Sequence, residues 1–265
     1  MKRALTLIGL LVVAATSKIQ AGVLWAQDFS AGGDFNSYVG SGANQFDAAG
    51  NYSSFNTSNF NLQLTSPTSA FAATYGLDFG NSAGYFQFDF NLASSINTGQ
   101  ILPFGVGSYS GTVSNWLSSA VQVLNSSTLS WNIRDTFYGV NSNQTFTGPQ
   151  RITFVINNSG GSFDYDLGSG ISGMLTDNTY RVYVGSQLLT FGSPAVDTRP
   201  AANPNIDIEG FRLTGGNPAG GVVTLDNIIF ATTPVPEPST YALLMAGLAF
   251  AISMVRRQPK EITSL

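Results

Sequence analysis

The sequence contains neither cysteine nor histidine among its 265 residues. Without cysteine the chain has no disulfide, no thiolate metal site and no cysteine nucleophile. Without histidine it has no Ser-His-Asp triad and lacks the commonest zinc ligand. Enzymes with a cysteine nucleophile and enzymes with a Ser-His-Asp triad are therefore excluded. The fold must be stabilised by its core and its hydrogen-bonded ladders alone.

Charged residues are also scarce, at 10% of the chain against a usual share of about 25%. Aromatic residues make up 12%, so the chain does not have the composition of a disordered protein. Between Gly22 and Val235 thirteen acidic residues face five arginines and no lysine, which leaves this body near −8. An acidic body without lysine argues against nucleic acid as a partner. It fits calcium, neutral sugars or simple solubility.

The first 21 residues are predicted to be a signal peptide. Lys2 and Arg3 provide a basic start, and an apolar run covers residues 4–15, as in secretion signals. This run is too short to span a membrane comfortably. We expect cleavage after Ala21; the alternative is a retained N-terminal anchor.

The C-terminal end has the composition of a linker followed by a membrane helix. Residues 232–238 contain several prolines, which stiffen a linker by fixing φ. Residues 239–255 carry no charge and would span roughly 25 Å as a transmembrane helix, the short end for a bilayer. A basic tail follows at 256–265, and basic residues hold such an end in the cytoplasm. The body, residues 22–231, is then predicted to lie on the side of the membrane opposite the cytoplasm.

This C-terminal arrangement resembles the PEP-CTERM sorting signal of Gram-negative bacteria. The matching residues are Val235, Pro236, Glu237 and Pro238, then the apolar segment, then Arg256 and Arg257. The resemblance implies that an exosortase-type membrane peptidase cleaves near the motif. It also implies an inner-membrane intermediate and then the cell surface or the extracellular matrix, often in species that make exopolysaccharide. The alternative is an ordinary tail anchor that stays in the membrane.

Alternating apolar and polar residues dominate the body. The alternating segments are 59–64, 85–92, 129–137, 151–157, 179–189 and 222–230, and clusters of Gly, Asn, Ser and Pro separate them at 81–84, 157–161, 168–173 and 213–221. Such runs, without a long segment of helical period, predict an all-β antiparallel sandwich or barrel. For residues 115–124 the pattern allows a loop or a strand.

The order of these segments resembles concanavalin A-like jelly rolls, which include lectins, laminin-G-like modules and some glycosidases. The resemblance rests on the aromatic alternation at 86–90, the strand and turn at 151–160, and the closing FRLTGG and VTLDNIIF segments within 211–230. It implies an antiparallel jelly-roll β-sandwich. A different sandwich or a β-helix is the alternative, although no short fixed-period repeat supports a β-helix.

Asp207 and Glu209 are the candidates for acid chemistry. On a strand they would share one face about 7 Å apart along the chain, whereas retaining glycosidases need carboxyl groups about 5–5.5 Å apart. Jelly-roll glucanases usually carry a longer motif with a leading acid, which is absent here because Asn205 precedes Ile206. A glycoside hydrolase or lyase is therefore the alternative function. The plainer interpretation is a solvated strand face.

Two further sets of residues are candidate ligand contacts. Asp164 and Asp166 precede glycine turns and are weak calcium candidates, since calcium takes several oxygen ligands; the plainer interpretation is a hairpin. Aromatic planes suit the C–H faces of sugars, so Trp116, Trp131, Tyr138 and Tyr183 are candidates for stacking on a sugar ring. Trp116, with polar neighbours, is the better exposed of them. Trp131 alternates with apolar residues and is expected in the core.

The sequence as a whole predicts an exported cell-envelope or matrix protein. We expect its body to be a structural or polysaccharide-contacting module, with no catalytic residue and no cofactor except the calcium considered above.

Overall fold

The computed structural model describes residues 22–30, 33–40, 44–46, 48–49, 55–58, 61–65, 72–76, 83–94, 99–107, 117–127, 129–168, 170–201, 204, 208, 210–214 and 222–232. All of them lie in the unit Gly22–Pro234. The predicted signal peptide, PEP motif, membrane helix and basic tail fall outside these residues. Within them, no helix is long and apolar enough to cross a membrane.

The described chain is built from nineteen strands and one 3-10 helix, Phe35–Tyr38. The strands are β1 (Val23–Gln27), β2 (Gly33–Asp34), β3 (Ala48–Ala49), β4 (Phe55–Ser58), β5 (Asn61–Thr65), β6 (Ala72–Gly76), β7 (Ala83–Leu92), β8 (Gly99–Gly107), β9 (Leu117–Ser127), β10 (Ser130–Asp135), β11 (Phe146–Thr147), β12 (Gln150–Asn157), β13 (Phe163–Gly168), β14 (Ile171–Leu175), β15 (Thr179–Val184), β16 (Gln187–Leu188), β17 (Arg199–Pro200), β18 (Gly210–Thr214) and β19 (Val222–Ala231).

These strands form two large sheets and one hairpin. The ten-stranded sheet has the order β16-β15-β12-β7-β19-β5-β4-β2, with β1 beside β19 and β17 beside β15. The seven-stranded sheet has the order β11-β10-β9-β8-β18-β6-β3, and β13 pairs with β14 alone. Neighbouring strands run antiparallel, for example Phe154 opposite Phe86 between β12 and β7.

One hydrophobic core lies between the two large sheets. Phe86, Phe88 and Phe90 alternate along β7 and are all buried. Phe88 meets Phe104 of the other sheet with ring centroids 4.8 Å apart, and Phe90 meets the fully buried Trp131 at 4.9 Å. Aromatic side chains contribute large buried areas and so dominate such a core. The predicted antiparallel sandwich is therefore confirmed for the described residues, as is the burial of Trp131.

The β13–β14 hairpin packs on the outer face of the ten-stranded sheet. Tyr85, Val155 and Tyr183 point away from the main core and form a second buried cluster with Tyr165 and Leu175 of the hairpin. The Tyr165 and Tyr183 hydroxyl groups are hydrogen-bonded at 2.6 Å. An Arg181 guanidinium nitrogen donates to the Tyr165 hydroxyl at 2.8 Å. A polar link thus fixes the hairpin over the sheet.

Some predicted segments have different bounds in the structure. The strand expected over 179–189 is divided by a turn into β15 and β16, because Gly185 adopts a left-handed φ of 57°. Residues 115–124, for which the pattern allows a loop or a strand, contain most of β9. The expected turn at 168–173 is shorter, since β14 begins at Ile171.

Candidate functional site

Two adjacent aromatic side chains are exposed in the turn that follows β10. Phe137 is 39% exposed and Tyr138 is 47% exposed, whereas aromatic residues such as Phe88, Trp131 and Tyr165 are buried in the two cores. We call this region the Tyr138 surface and define it by Arg134, Phe137, Tyr138, Gly139 and Arg199. It is the candidate site for contact with a ligand.

Asp135, the last residue of β10, shapes the backbone of the turn. Its Oδ1 atom accepts hydrogen bonds from the backbone N–H groups of Phe137 and Tyr138, each at 3.0 Å. Its own backbone N–H donates to the carbonyl of Val140 at 2.9 Å. Gly139 adopts a φ of 67°, in the left-handed region that glycine reaches without steric cost. The turn is therefore closed by local hydrogen bonds.

The other oxygen of Asp135 is held by an ion pair inside the protein. Oδ2 accepts hydrogen bonds from Arg199 Nε at 2.8 Å and from the Tyr180 hydroxyl at 2.7 Å. Asp135 is completely buried, and the Arg199 side chain is 12% exposed. Burial raises the pKa of Tyr180 well above its usual range, and the charge of Asp135 raises it further. Tyr180 therefore stays protonated and keeps donating to the carboxylate.

Arg199 connects this buried acid to the exposed aromatic residue. Its guanidinium carbon lies 4.7 Å from the Tyr138 ring centroid and 5.9 Å from that of Phe191. A cation over an aromatic face contributes about 0.5–1 kcal/mol at exposed sites and more when desolvated. One face of the Tyr138 ring is thus covered by Arg199, and Arg199 is in turn paired with the buried Asp135. The exposed Tyr138 ring therefore packs against a side chain that is itself held by an ion pair.

Polar contacts join Asn143, shortly after the turn, to a neighbouring loop. Asn143 donates from its backbone N–H to the Thr190 carbonyl at 2.8 Å, and from its side chain to the Gly192 carbonyl at 3.2 Å. Phe191 forms backbone hydrogen bonds in both directions with Val196. Val196 is 38% exposed. These contacts brace the loop that supplies Phe191 to Arg199.

Arg134 adds a positive charge to the same surface. Arg151, Arg181 and Arg199 each form an ion pair within the described residues, and Arg134 forms none there. A Cβ built on Gly139 would lie 3.2 Å from an Arg134 terminal nitrogen. The guanidinium therefore lies beside the residue that directly follows Tyr138.

A second polar cluster lies on the outer face of the ten-stranded sheet. Asp89 accepts hydrogen bonds from two nitrogens of Arg151, at 2.8 and 3.2 Å, and from the Asn227 side chain at 2.7 Å. Asp226 lies opposite Asp89 in the β19–β7 register, at a bulge. Burial raises the pKa of Asp226 to about 6, and the charges of Asp89 and Asp28 act in the same direction. Among the residues that the structure describes, no exposed aromatic side chain belongs to this cluster, so it is the weaker candidate for ligand contact.

The structure places only some of the predicted site residues. Asp164 and Asp166 lie on β13 and are exposed, and Asp166 accepts a hydrogen bond from the Gly168 backbone at 2.8 Å. No group of three acidic residues that could hold a metal ion occurs in the part of the chain that is described. The remaining candidates lie outside it, namely Ala21, Trp116, Asp207, Glu209, Val235, Pro236, Glu237, Pro238, Arg256 and Arg257.

Sequence reasoning missed the residues that support the Tyr138 surface. Asp135 and Arg199 are 64 positions apart, and no motif joins them. The signal that the sequence offers is an Asp, a Thr, two aromatic residues and a glycine at 135–139, which is typical of a tight turn. Only the fold brings Arg199 to it.

The described residues thus define the class of the protein as an antiparallel β-sandwich with an ordered aromatic and arginine surface at one turn. Residues 234–258 match the family model of the PEP-CTERM protein-sorting motif. This match confirms the sorting signal predicted from the sequence. The motif indicates secretion to the cell envelope with processing by exosortase, so the protein is an exported surface protein.

Comparisons of the whole chain give weaker similarities. No curated protein sequence matches it. Among solved structures, the carbohydrate esterase vb_24B_21 from Shiga toxin-encoding bacteriophage phi24B is similar with a TM-score of 0.49 and 13% identity, over 80% of this chain and 98% of that one. Lectin I-B4 from Griffonia simplicifolia gives 0.39 and 14%, over 66% and 89%. The binding domain of botulinum neurotoxin DC gives 0.43 and 10%, over 87% and 52%. None of these similarities is strong enough to assign a function.

Proposed function

We propose that this protein is a sorted envelope or matrix protein whose sandwich contacts polysaccharide without modifying it. The observation that carries the sugar-contacting part is the Tyr138 surface, an exposed aromatic ring held in place by a buried ion pair. The sorting motif carries the part that concerns localisation. We further propose an inner-membrane intermediate in a Gram-negative host, followed by release to the cell surface.

The geometry suits a sugar because the apolar C–H face and the hydroxyl groups of a pyranose ring would each have a partner at the Tyr138 surface. The uncovered face of Tyr138 offers an apolar plane to the C–H face of a pyranose ring. Hydroxyl groups at the ring edge can accept hydrogen bonds from Arg134, whose guanidinium lies beside Gly139. Because Arg199 already fixes the Tyr138 ring, little conformational entropy is lost on binding, which favours affinity.

The binding test compares two exposed side chains. We expect Tyr138→Ala to weaken binding to polysaccharide at least about tenfold, which corresponds to about 1.4 kcal/mol. Met174→Ala is the matched control, because Met174 is 53% exposed and belongs to the β13–β14 hairpin, which packs on the outer face of the ten-stranded sheet. Retained affinity in Tyr138→Ala, or equal losses in both variants, would contradict the proposal.

The absence of catalysis is tested with the alternative carboxylates. We expect the wild-type protein to release no reducing ends or unsaturated products from the polysaccharides it binds. If it does, and if Asp207→Asn and Glu209→Gln abolish that release, the protein is a glycosidase or lyase and the non-catalytic proposal is wrong.

The sorting part is tested by the intact mass of the protein recovered from its native host. We expect mass loss at both ends, with the C-terminal loss beginning near Pro236–Pro238. Glu237→Ala should leave the C-terminal segment in place. A full-length C-terminus in the wild-type protein would instead indicate an ordinary tail anchor.

A further inference from the structure

Among the arginines whose side chains the structure describes, Arg134 is the one without a carboxylate partner in the described part of the chain. Asp89 pairs with Arg151 at 2.8 Å, and Asp135 pairs with Arg199 at 2.8 Å. Asp197 lies 3.7 Å from Arg181. The Asp135–Arg199 pair is neutral as a unit, so the net charge of the Tyr138 surface comes from Arg134.

An uncompensated arginine is unexpected in a body whose net charge is near −8. Acidic residues outnumber arginines by more than two to one there, yet none of the described ones reaches Arg134. The side chain is half-buried and lies against Gly139. The charge of Arg134 therefore lies beside Gly139, the residue that directly follows Tyr138.

This placement selects the chemistry of the ligand. A guanidinium presents two parallel N–H donors, which match the two oxygens of a carboxylate and give a charge-assisted pair. A neutral hydroxyl uses one donor and leaves the charge uncompensated. A sugar with a carboxylate at its ring edge could stack on Tyr138 and pair with Arg134 at the same time.

We infer that the saccharide bound at the Tyr138 surface is a uronic acid, with its ring on Tyr138 and its carboxylate paired with Arg134. This inference rests on the proposed function and names the substrate class of that site. The acidic body does not prevent such contact, because charges farther away than a Debye length of about 8 Å are largely screened at physiological ionic strength.

The test uses two forms of one polymer. Polygalacturonate and its methyl-esterified form share a backbone and differ in charge, and the full mature protein is titrated with each at physiological salt. We expect the wild-type protein to bind polygalacturonate at least about tenfold more tightly. Arg134→Gln should bind both forms equally, at the affinity of the ester. Arg134→Lys should keep part of the preference, since it retains the charge and loses the two-donor geometry.

The outcomes separate this inference from the proposed function. Equal wild-type binding to both forms would overturn the uronic acid and leave sugar binding intact, and so would a preference that survives in Arg134→Gln. Binding to neither form would overturn both proposals. Tighter binding to a sulfated polymer of the same backbone would replace the carboxylate by a sulfate ester and overturn the inference as stated.

A second measurement needs no variant. Free galacturonate should displace the bound polymer at a concentration at least about tenfold below that of its methyl ester. Equal displacement by the two monomers would contradict the role of Arg134 even if the variants failed to fold.

Discussion

Replacing Asp135 by Asn should destabilise the sandwich strongly, although only one atom changes identity. Asp135 is fully buried and accepts hydrogen bonds from two backbone N–H groups, from Tyr180 and from Arg199. The Asn side chain can keep its oxygen on the two N–H groups. Its amide nitrogen then faces the Tyr180 hydroxyl and the Arg199 guanidinium, where an acceptor is required.

The magnitude follows from the charge left behind. Removing one partner of a buried ion pair costs about 3–5 kcal/mol, because the remaining charge stays desolvated. For a domain of about 150–250 residues each kcal/mol lowers Tm by about 2–4 °C, so the expected drop is about 6–20 °C. Urea unfolding followed by circular dichroism measures the free energy, and a thermal scan measures Tm.

Asp197→Asn is the matched control for this substitution. Asp197 also faces an arginine, but at 3.7 Å and with a side chain 45% exposed, and such surface pairs contribute about 0–1 kcal/mol. A loss in Asp135→Asn no larger than that in Asp197→Asn would refute the assignment of Asp135 as the buried anchor of the Tyr138 surface.

Two more predictions test other parts of the sandwich. Gly173→Ala should destabilise it by about 1–3 kcal/mol in urea unfolding, because the new Cβ would lie 2.6 Å from the Tyr165 hydroxyl oxygen. Gly161→Ala is the control and should be neutral, because its Cβ would meet nothing within 4 Å. Asp226 has a pKa raised to about 6 by burial, so the native state binds more protons than the unfolded state between about pH 4 and 6 and loses stability as pH rises through that window. Asp226→Asn should therefore stabilise the protein at pH 7 and flatten this slope; an unchanged slope would contradict the placement of Asp226.

The strands were predictable because their burial alternates with a period of two. In β10 the buried positions are Trp131, Ile133 and Asp135, with half-buried residues between them, and the apolar members of that pattern are visible in the sequence. The division of 179–189 was harder to foresee. It depends on the left-handed φ of Gly185, whereas the side chains on both sides of that glycine favour strand.

The Tyr138 surface could be predicted only in part. The sequence shows an aromatic residue, Tyr138, directly before a glycine, and this makes Tyr138 a candidate for sugar contact. Alternation along 129–137 places Asp135 on the inner face, but the sequence gives no sign of the cation that pairs with it there. Its partner comes from β17, and the pairing of β17 with β15 is a tertiary fact that local patterns do not encode.

The composition of the anchor itself argues that the Tyr138 surface is more than a stable turn. A buried ion pair seldom stabilises a fold more than apolar residues of similar volume, because desolvation of both charges offsets their attraction. Apolar residues at 135 and 199 would therefore serve stability equally well. However, an apolar residue at 135 could not accept hydrogen bonds from the N–H groups of Phe137 and Tyr138. An apolar residue at 199 could not place a cation over the Tyr138 ring. What the ion pair adds is the conformation of the turn and the orientation of Tyr138, both of which are needed by a surface that presents an aromatic plane to a ligand.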